Sequence, residues 1–463
     1  MAPSQKQKII EPFSAIGYIM NKFFKTKLFG ITIIGGIAKL SGLIRDVLFA
    51  ASYGTGELAA AYESASKIPM SIFDILFGCA IGCSFIPIIC AARSEEGEEG
   101  SKEFADSFAG IILFFSLSVT ILGMMFSQTI LSFFTEGLSA GAKGYARTLL
   151  IMLFPTLFIN SFSFLLIALF HSKGSFILPA IISLATNALS IIYLLRPVFG
   201  IIGLASVSVF GGAIQLMMLY FYAKRSGYTC RPTLRTKDKY IKSSLILTLQ
   251  GLLPCILTPI INLISMSYSD RYMSGRGITV FSYANRIFMM CGGFFAFAFS
   301  SFLLPILSKE EAEGDSEGSR KSFSRYSIAL MIILIPVTVA VGVFPKEIIN
   351  LIFGRGNFTL EDVSVCAGIL RILSVGIPFF ALSELSVKAY FAKQKCIFPS
   401  VCAALSLIFF SLGLKFSPFE SEMTTLPFAS SCAYILYAVI LIAGLKLKPI
   451  KLNCIQGGKC SND

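Results

Sequence analysis

The sequence predicts an all-α polytopic membrane protein, with about 12 transmembrane helices in two parallel six-helix lobes around a central cationic cavity. Three observations predict it: an apolar composition, a succession of long apolar runs, and a repeat between the two halves of the chain. Hydrophobic residues make up 55% of the 463 residues and charged residues only 14%, whereas a soluble domain carries about 25% charged residues. So little polar sequence cannot cover a soluble fold, which excludes a soluble enzyme and a disordered chain.

The apolar runs have the length of membrane-spanning helices, which need about 20 mostly apolar residues. The runs lie at about 29–50, 67–91, 104–134, 147–170, 175–195, 199–223, 243–268, 278–307, 326–344, 363–391, 396–414 and 425–445. We therefore divide the chain into a basic N-terminal segment (1–28), an N-terminal lobe (29–223), a basic linker (224–242), a C-terminal lobe (243–445) and a tail (446–463).

The positive charge alternates between the two predicted faces of the membrane. Of the 39 Lys and Arg residues, 25 fall in segments on the side of the N-terminus and 8 in segments on the opposite side. Because cytoplasmic loops carry the excess of Lys and Arg, we expect a bacterial cytoplasmic-membrane protein with both termini in the cytoplasm. This distribution explains the net charge of +13 without a nucleic-acid partner.

The two halves share short signals in the same order, at a spacing near 220 residues. Gly54-Thr55-Gly56 recurs as Gly275-Arg276-Gly277, and Pro155 has its counterpart in Pro378. Six spans in each half would make both halves enter the membrane in the same direction. Parallel repeats of this kind place the substrate path between the halves.

Charged residues within the spans identify the candidate substrate site: Lys39, Arg45, Asp46, Lys67 and Arg286. A cation at the bilayer centre costs about 2.5–3.5 kcal/mol on insertion scales, so such residues usually face a wet cavity or a partner. Adjacent residues do not share a helix face, so we expect Arg45 and Asp46 to serve different partners. The structural alternatives are an inter-helix clamp for Arg45 and Asp46, snorkelling for Lys39, and interfacial anchoring for Lys67 and Arg286, which we expect to start their helices at the outer face.

A second group of residues is a weaker candidate for cavity or coupling roles: Asp74, Glu384 and Lys388. Asp74 could instead neutralise a nearby cation, and Glu384 and Lys388 have the i,i+4 spacing of a self-neutralising pair. In the predicted outer loop, Gly354, Arg355 and Gly356 indicate a tight structural turn, since glycine tolerates positive φ. No spacing of His, Cys and carboxylates indicates a metal site, and no phosphate-binding loop is present, so we expect neither a cofactor nor an enzymatic activity.

These residues resemble the motifs of the MurJ/MviN family, which comprises lipid II flippases of the multidrug/oligosaccharidyl-lipid/polysaccharide exporter superfamily. The resemblance covers about 29–445. The matching segments are Lys39–Asp46 for R-x-x-G-x-x-R-D, Lys67–Pro69 for K-[IL]-P, Phe85–Pro87 for F-[VI]-P, Tyr283–Arg286 for Y-A-D-R, and Phe353–Thr359 for F-G-R-G-x-F-[ST].

The sequence also departs from that family. The second-helix motif R-R-x-x-x-E-G reads Phe73–Cys79 here, Asn285 stands where the family has an acidic residue, and Ser267 stands at a seventh-helix aspartate. The chain ends after the twelfth predicted span, two spans fewer than family members commonly have.

The resemblance implies a flippase for lipid-linked peptidoglycan precursor that works by alternating access. Lys39, Arg45 and Arg286 would bind the pyrophosphate, and transport would be coupled to the membrane potential or to a cation gradient. The implied partners are an anionic lipid-linked glycan and membrane lipids. The alternatives are export of another lipid-linked oligosaccharide, a multidrug or cation antiporter of the same superfamily, and a degenerate paralogue that transports nothing.

Overall fold

Long helices account for the regular structure of the part of the chain that can be described. A computed structural model describes residues 27–446, apart from 79, 176, 229–230, 234–238, 273–274, 394, 396 and 417–420. Most of the predicted N-terminal segment, part of the linker, and all but the first residue of the tail lie outside the described residues. The helices are α1 (Lys27–Tyr53), α2 (Glu57–Phe73), α3 (Ile86–Met125), α4 (Ser127–Phe134), α5 (Ala140–Leu153), α6 (Pro155–Ser172), α7 (Ile177–Leu195), α8 (Gly200–Arg225), α9 (Lys239–Tyr272), α10 (Gly277–Ala312), α11 (Ser316–Val343), α12 (Pro345–Phe353), α13 (Leu360–Ser374), α14 (Ile377–Ala392), α15 (Ile397–Lys415) and α16 (Glu422–Lys446).

The helices confirm the predicted class of an all-α polytopic membrane protein. Among the described residues, nine helical stretches are long and apolar enough to cross a membrane, and α13 with α14 forms a tenth as a pair bent by 48°. Helix α1 lies over the first predicted span, whereas α2 overlaps only residues 67–73 of the second, and neither helix is among the nine; they carry Lys39, Arg45, Asp46 and Lys67. The two helices richest in interior charge are therefore the ones that hydropathy alone identifies least well.

Irregular geometry marks the second span and its connection to the third. Helix α2 continues into two π-helical segments, Asp74–Gly78 and Ile81–Phe85, before α3 begins. Helix α3 changes direction at Gly97, where φ is +75°. π-Helical turns are rare and are frequently found at functional sites, and here they follow the helix that carries Lys67.

Helices of the same half of the chain pack mainly against one another. In the N-terminal half α1 packs on α7, α2 on α5, and α3 on α6; in the C-terminal half α10 packs on α14, and α15 on α16. The halves meet where α1 and α2 contact α10, and where α3 and α4 contact α9. Side chains on α1, α2 and α10 therefore face one another across the junction of the halves.

The two halves are joined at one end of the molecule by a contact that we call the latch, comprising residues 54–56, 275–279 and 354–362. Asp362 is its buried hub: one carboxylate oxygen accepts from Thr55 Oγ1 and Arg276 Nη2, each at 2.6 Å, and the other accepts from the backbone N–H and hydroxyl of Thr359. The hydrogen bond to Asp362 raises the pKa of the Arg276 guanidinium above its ordinary value. Tyr283 adds a bond from its hydroxyl to the carbonyl of Gly54 at 3.1 Å.

Two glycines with positive φ allow the backbones of the latch to touch. Gly356 has φ +63°, and a Cβ there would lie 2.3 Å from the carbonyl oxygen of Ala51; Gly54 has φ +59°, and a Cβ there would lie 2.6 Å from the carbonyl oxygen of Asn357. The Asn357 N–H donates to that Ala51 oxygen at 2.9 Å. Gly354 has an ordinary φ of −68°, but a Cβ there would lie 2.5 Å from the backbone oxygen of Asn350, so the predicted turn needs glycine for space at Gly354 and for its positive φ at Gly356. The Arg355 side chain is exposed and donates to the carbonyl of Leu351.

The opposite end, which we call the linker end, holds the residues that lead into α9. There Lys239 contacts Glu96 at 2.9 Å and Glu95 at 3.2 Å, and the Thr233 N–H donates to the Asp106 carbonyl at 3.0 Å. Asp106 and the two glutamates are on α3, so the linker is held against the N-terminal half by charged and backbone contacts near the surface.

Candidate functional site

Five ionisable side chains converge between the latch and the linker end, where α1, α2 and α10 meet. We call them the central charge cluster: Arg45 and Asp46 of α1, Glu63 and Lys67 of α2, and Arg286 of α10. The first four come from the N-terminal half of the chain, and Arg286 comes from the C-terminal half. The cluster is therefore an electrostatic contact between the two halves.

Asp46 lies between the two arginines. One of its carboxylate oxygens accepts from Arg45 at 2.9 and 3.1 Å, and the other lies 3.3 Å from Arg286 Nε. The prediction that Arg45 and Asp46 serve different partners is only partly right: Arg45 also bonds Asn187 and Asp46 also contacts Arg286, but the two residues pair with each other as well. Neighbouring residues do point about 100° apart on a helix, but the long arginine side chain folds back onto the adjacent carboxylate.

Glu63 is the residue that sequence reasoning missed. Its carboxylate is 1% exposed and accepts from Arg286 Nη2 at 2.5 Å, and its other oxygen lies 3.6 Å from Lys67 Nζ. The i,i+4 spacing of Glu63 and Lys67 was the available signal. The predicted second apolar run begins at Lys67, so hydropathy assigns Glu63 to a loop and gives this spacing no weight.

The true helix starts explain why the cations lie deep in the molecule. Helix α2 begins at Glu57 and α10 at Gly277, so Lys67 and Arg286 lie about 15 Å along the helix axis from the latch end. The prediction that both start their helices at the outer face is therefore wrong. Small residues such as Ala59, Ala60 and Ala61, all fully buried, extend α2 against protein and not against lipid, so hydropathy does not reveal this first part of the helix.

Neighbouring polar groups orient the cations of the cluster. Lys67 Nζ donates a short hydrogen bond to the hydroxyl of Ser282, one turn before Arg286 on α10. Arg45 Nη1 donates to the side-chain oxygen of Asn187 on α7 at 3.3 Å. The Arg286 guanidinium lies 5.5 Å from the centre of the Tyr283 ring, a cation–π distance. These contacts fix the positions of charges that would otherwise be costly to bury.

Lys39 lies apart from the cluster but faces the same helix of the C-terminal half. Its ammonium group is 5.8 Å from the centre of the Phe294 ring and 5.9 Å from that of Phe297, both on α10. No carboxylate of the described residues lies within ion-pair distance of it. Six residues of α1, about 1.7 turns, separate Lys39 from Arg45, so a ligand that reaches both must extend along the α1–α10 junction toward the linker end.

The weaker candidates lie outside the cluster. Asp74 begins the first π-helical segment, and the described residues include no ion pair with it. Glu384 and Lys388 are not within ion-pair distance of each other, and the Lys388 ammonium instead lies 5.5 Å from the centre of the Phe391 ring. Arg371 donates to the carbonyl of Gly342 at 3.2 Å. The expected Glu384–Lys388 pair is therefore not formed, because the lysine packs on an aromatic ring.

The cluster is incompletely neutralised and incompletely hydrogen-bonded. Three cations face two carboxylates, which leaves one net positive charge. Glu63 Oε2 and Arg286 Nη1 are both buried without a hydrogen-bond partner among the described residues. Buried polar atoms are paired in the great majority of cases, and each exception calls for an explanation. The arrangement is suited to receive an additional anion with several oxygen acceptors, since guanidinium groups match phosphate oxygens in geometry.

Known proteins are similar to this chain in sequence and in fold. The sequence profile of the family described as "Lipid II flippase MurJ" matches residues 49–453. A relative named "Probable lipid II flippase MurJ" from Buchnera aphidicola subsp. Schizaphis graminum is 27% identical over 419 residues, which cover 88% of this chain and 80% of the relative. A protein of the same name from Haemophilus influenzae is 24% identical and covers 88% of this chain and 84% of its own length.

Solved structures share the fold at lower identity. The structure titled "Lipid II flippase MurJ, inward closed conformation" superposes with a TM-score of 0.77 at 21% identity, covering 91% of this chain and 88% of the other. An inward-facing multidrug-resistance MATE transporter of the MOP superfamily superposes with a TM-score of 0.73 at 14% identity, covering 91% of this chain and 97% of the other. Since the family profile spans most of the sequence, the chain belongs to the MurJ family of lipid II flippases.

Proposed function

We propose that this protein translocates lipid II, the lipid-linked peptidoglycan precursor, and that the central charge cluster receives its pyrophosphate. The chain is a transporter and not an enzyme, as a member of the MurJ family. The observation that carries the assignment of the site is the meeting of Arg45 and Arg286, from opposite halves of the chain, around the carboxylate of Asp46. A group bound there contacts both halves and can couple its own position to their relative movement.

The substrate would reach the cluster along the α1–α10 junction, past Lys39. The latch closes the other end of this junction in this conformation, which supports access to the cluster from the linker end. Arginine binds phosphate through two parallel N–H groups, whereas lysine acts as a point charge. Arg45 and Arg286 would therefore fix the orientation of the pyrophosphate, while Lys39 and Lys67 add attraction with less geometric demand.

The linker end is proposed to face the cytoplasm, and the latch to face the outside, in the cytoplasmic membrane of a bacterium. The excess of Lys and Arg in the segments of the linker end supports this orientation. Ser226 is exposed at the linker end. A membrane-impermeant thiol label should therefore not reach Ser226→Cys in intact cells, but should reach it after permeabilisation. Labelling from outside, above the background of the native cysteines, would overturn the orientation.

The membrane potential is the proposed driving force. An inside-negative potential favours outward movement of an anionic headgroup by about 2.3 kcal/mol per elementary charge and 100 mV. A cation gradient is the alternative source, with Asp74, Glu384 and Lys388 as the candidate coupling residues. If the potential drives transport, an ionophore that dissipates it should slow flipping even when the ion gradients are held constant. An unchanged flipping rate would identify the cation gradient as the driving force.

Complementation tests the proposed substrate. Expression of this chain should restore growth to cells depleted of their own lipid II flippase, whereas an Arg286→Ala variant inserted in equal amount should not. The departures from the family motifs at Phe73–Cys79 and at Asn285 favour a different lipid-linked glycan as the second candidate. Rescue of capsule or O-antigen export without rescue of growth would select that candidate and contradict lipid II as the substrate.

A further inference from the structure

Glu63 occupies the position at which an anionic substrate would be expected. It is almost completely buried, and it contacts both Arg286 and Lys67, one from each half of the chain. Asp46 already satisfies Arg45 and contacts Arg286 Nε. The second carboxylate is therefore not needed to hold the arginines together, and it lowers the positive charge available to a substrate.

The contacts of Glu63 are also unequal. One oxygen has a short bond to Arg286 Nη2, whereas the other lacks any hydrogen bond among the described residues. Lys67 lies 3.6 Å away but donates its hydrogen bond to Ser282. Breaking the hold of Glu63 thus requires the loss of one strong hydrogen bond, while the unpaired Arg286 Nη1 and the Lys67 ammonium remain able to bind a second anion.

We propose that Glu63 is an internal competitor that releases the substrate: the pyrophosphate displaces it from Arg286 and Lys67 on binding, and its return expels the pyrophosphate. This inference rests on the proposed function. A multiply charged group held by three cations would leave slowly, and a carboxylate tethered on α2, one turn from Lys67, supplies a replacement anion at high local concentration. In this account Glu63 promotes release of the substrate, and Arg45 and Arg286 hold it.

The simplest competing account makes Glu63 a support that only positions Arg286. The two accounts predict opposite effects of Glu63→Gln. The amide keeps the shape of the side chain and an oxygen that can accept from Arg286, but it carries no charge. Loss of a competing anion should tighten substrate binding, whereas loss of a support should weaken it.

The test uses the purified full-length protein in detergent and in vesicles, with an undecaprenyl pyrophosphate probe. Glu63→Gln should bind the probe about tenfold more tightly, equivalent to about 1.4 kcal/mol. In vesicles the same variant should show a lower KM and a lower kcat for flipping, because release becomes slow. Glu63→Asp should lie between it and the wild type, because it keeps the competing negative charge but draws the carboxylate back by one methylene.

Glu317→Gln is the matched control. Glu317 has the same i,i+4 relation to a lysine, Lys321 at 2.7 Å, but the pair is exposed and far from the cluster in sequence. The control should leave both binding and flipping unchanged. Equal or weaker binding by both Glu63 variants would overturn the release role while leaving the proposed function intact. No binding by the wild type or any variant would overturn the pyrophosphate site itself, and the release role with it.

Discussion

The latch and the central charge cluster each contain a buried carboxylate that pairs with an arginine and bonds across the two halves, yet the two sites differ in how completely they are satisfied. Asp362 pairs with Arg276 of its own half and accepts from Thr55 of the other half, whereas Glu63 pairs with Arg286 across the halves. Asp362 lies 2.6 Å from Arg276, and each of its two carboxylate oxygens accepts two hydrogen bonds. Glu63 lies 2.5 Å from Arg286, but one of its oxygens and Arg286 Nη1 have no hydrogen-bond partner within the described part of the chain. A fully satisfied buried network rigidifies a structure, whereas a partly satisfied one is unfavourable unless another group completes it. The latch has the properties of a structural contact, and the cluster those of a binding site.

The two regions also differ in what holds them together. The latch depends on backbone groups that meet at Gly54 and Gly356, with a hydrogen bond between Asn357 and Ala51. The cluster consists of side chains that can rotate. A backbone contact of this kind tolerates few substitutions and does not discriminate between ligands. A cluster of side chains tolerates more substitutions and can discriminate between ligands. The predictions below separate the two by substituting one region at a time.

Gly356→Val should have the largest effect on the amount of folded protein. A left-handed backbone costs a non-glycine residue about 1–2 kcal/mol, and the new Cβ would lie 2.3 Å from the Ala51 carbonyl oxygen. We expect most of the protein to be lost from the membrane fraction. Arg355→Ala, one residue away with an exposed side chain, should leave the yield near normal. Equal, full yields of both variants would show that the latch does not need the close backbone approach.

Asp362→Asn should lower stability by a smaller amount, about 2 kcal/mol, because the amide nitrogen replaces one of two accepting oxygens and cannot accept the hydrogen bonds made to that oxygen. The midpoint of thermal inactivation in detergent measures this. Glu361→Gln is the matched control, since its carboxylate is 73% exposed and lies 3.5 Å from the same Arg276. Exposed pairs contribute about 1 kcal/mol or less, so the control should change the midpoint little. A larger loss for Glu361→Gln than for Asp362→Asn would contradict the role of Asp362 as the hub.

Asp46→Asn should have the smallest effect on folded protein, because its amide oxygen can still accept from one arginine and Glu63 remains to neutralise Arg286. The same change should impair flipping more than folding, since Arg45 loses the partner that fixes its direction. The ratio of flipping rate to inserted protein separates these effects. A fall in inserted protein that accounts for the whole loss of flipping would place Asp46 with the structural contacts.

The sequence predicts the helical architecture well because its signal is local. Apolar runs of spanning length recur throughout the chain, and they identify the helices that contact lipid. The same signal fails for the first part of α2, where Ala59, Ala60 and Ala61 face protein. This failure placed Lys67 at a helix start and left Glu63 unnoticed, although both are in the middle of the molecule.

The pairing of charges cannot be obtained from local patterns. Arg286 and Glu63 are separated by 223 residues, and Thr55 and Asp362 by 307, so only the packing of α10 and α13 against the N-terminal half brings them together. The motif that contains Lys39, Arg45 and Asp46 did identify residues that lie at the junction. It could not show that Arg45 would fold back onto Asp46, because that contact depends on the rotamer of a flexible side chain.

The central claim is that Arg45 and Arg286 bind the pyrophosphate and are more than a clamp for Asp46 and Glu63. A single Arg286→Ala substitution confounds the two roles, because it leaves buried carboxylates unpaired, and removing one partner of a buried ion pair costs about 3–5 kcal/mol. The double variant Arg286→Ala/Glu63→Gln removes the charge of both partners and should restore the inserted protein if the loss was structural.

The most direct measurement is the lipid II flipping rate in vesicles, divided by the amount of inserted protein, for Arg286→Ala/Glu63→Gln. Arg286→Lys and Arg45→Ala should be measured beside it. We predict that the double variant inserts normally but flips lipid II only at the background rate, and that Arg45→Ala also flips at the background rate. Arg286→Lys should flip at a reduced but measurable rate, because it keeps the point charge but loses the bidentate fork. Flipping by the double variant at the wild-type rate per inserted molecule would contradict the pyrophosphate role and leave Arg286 as a structural clamp.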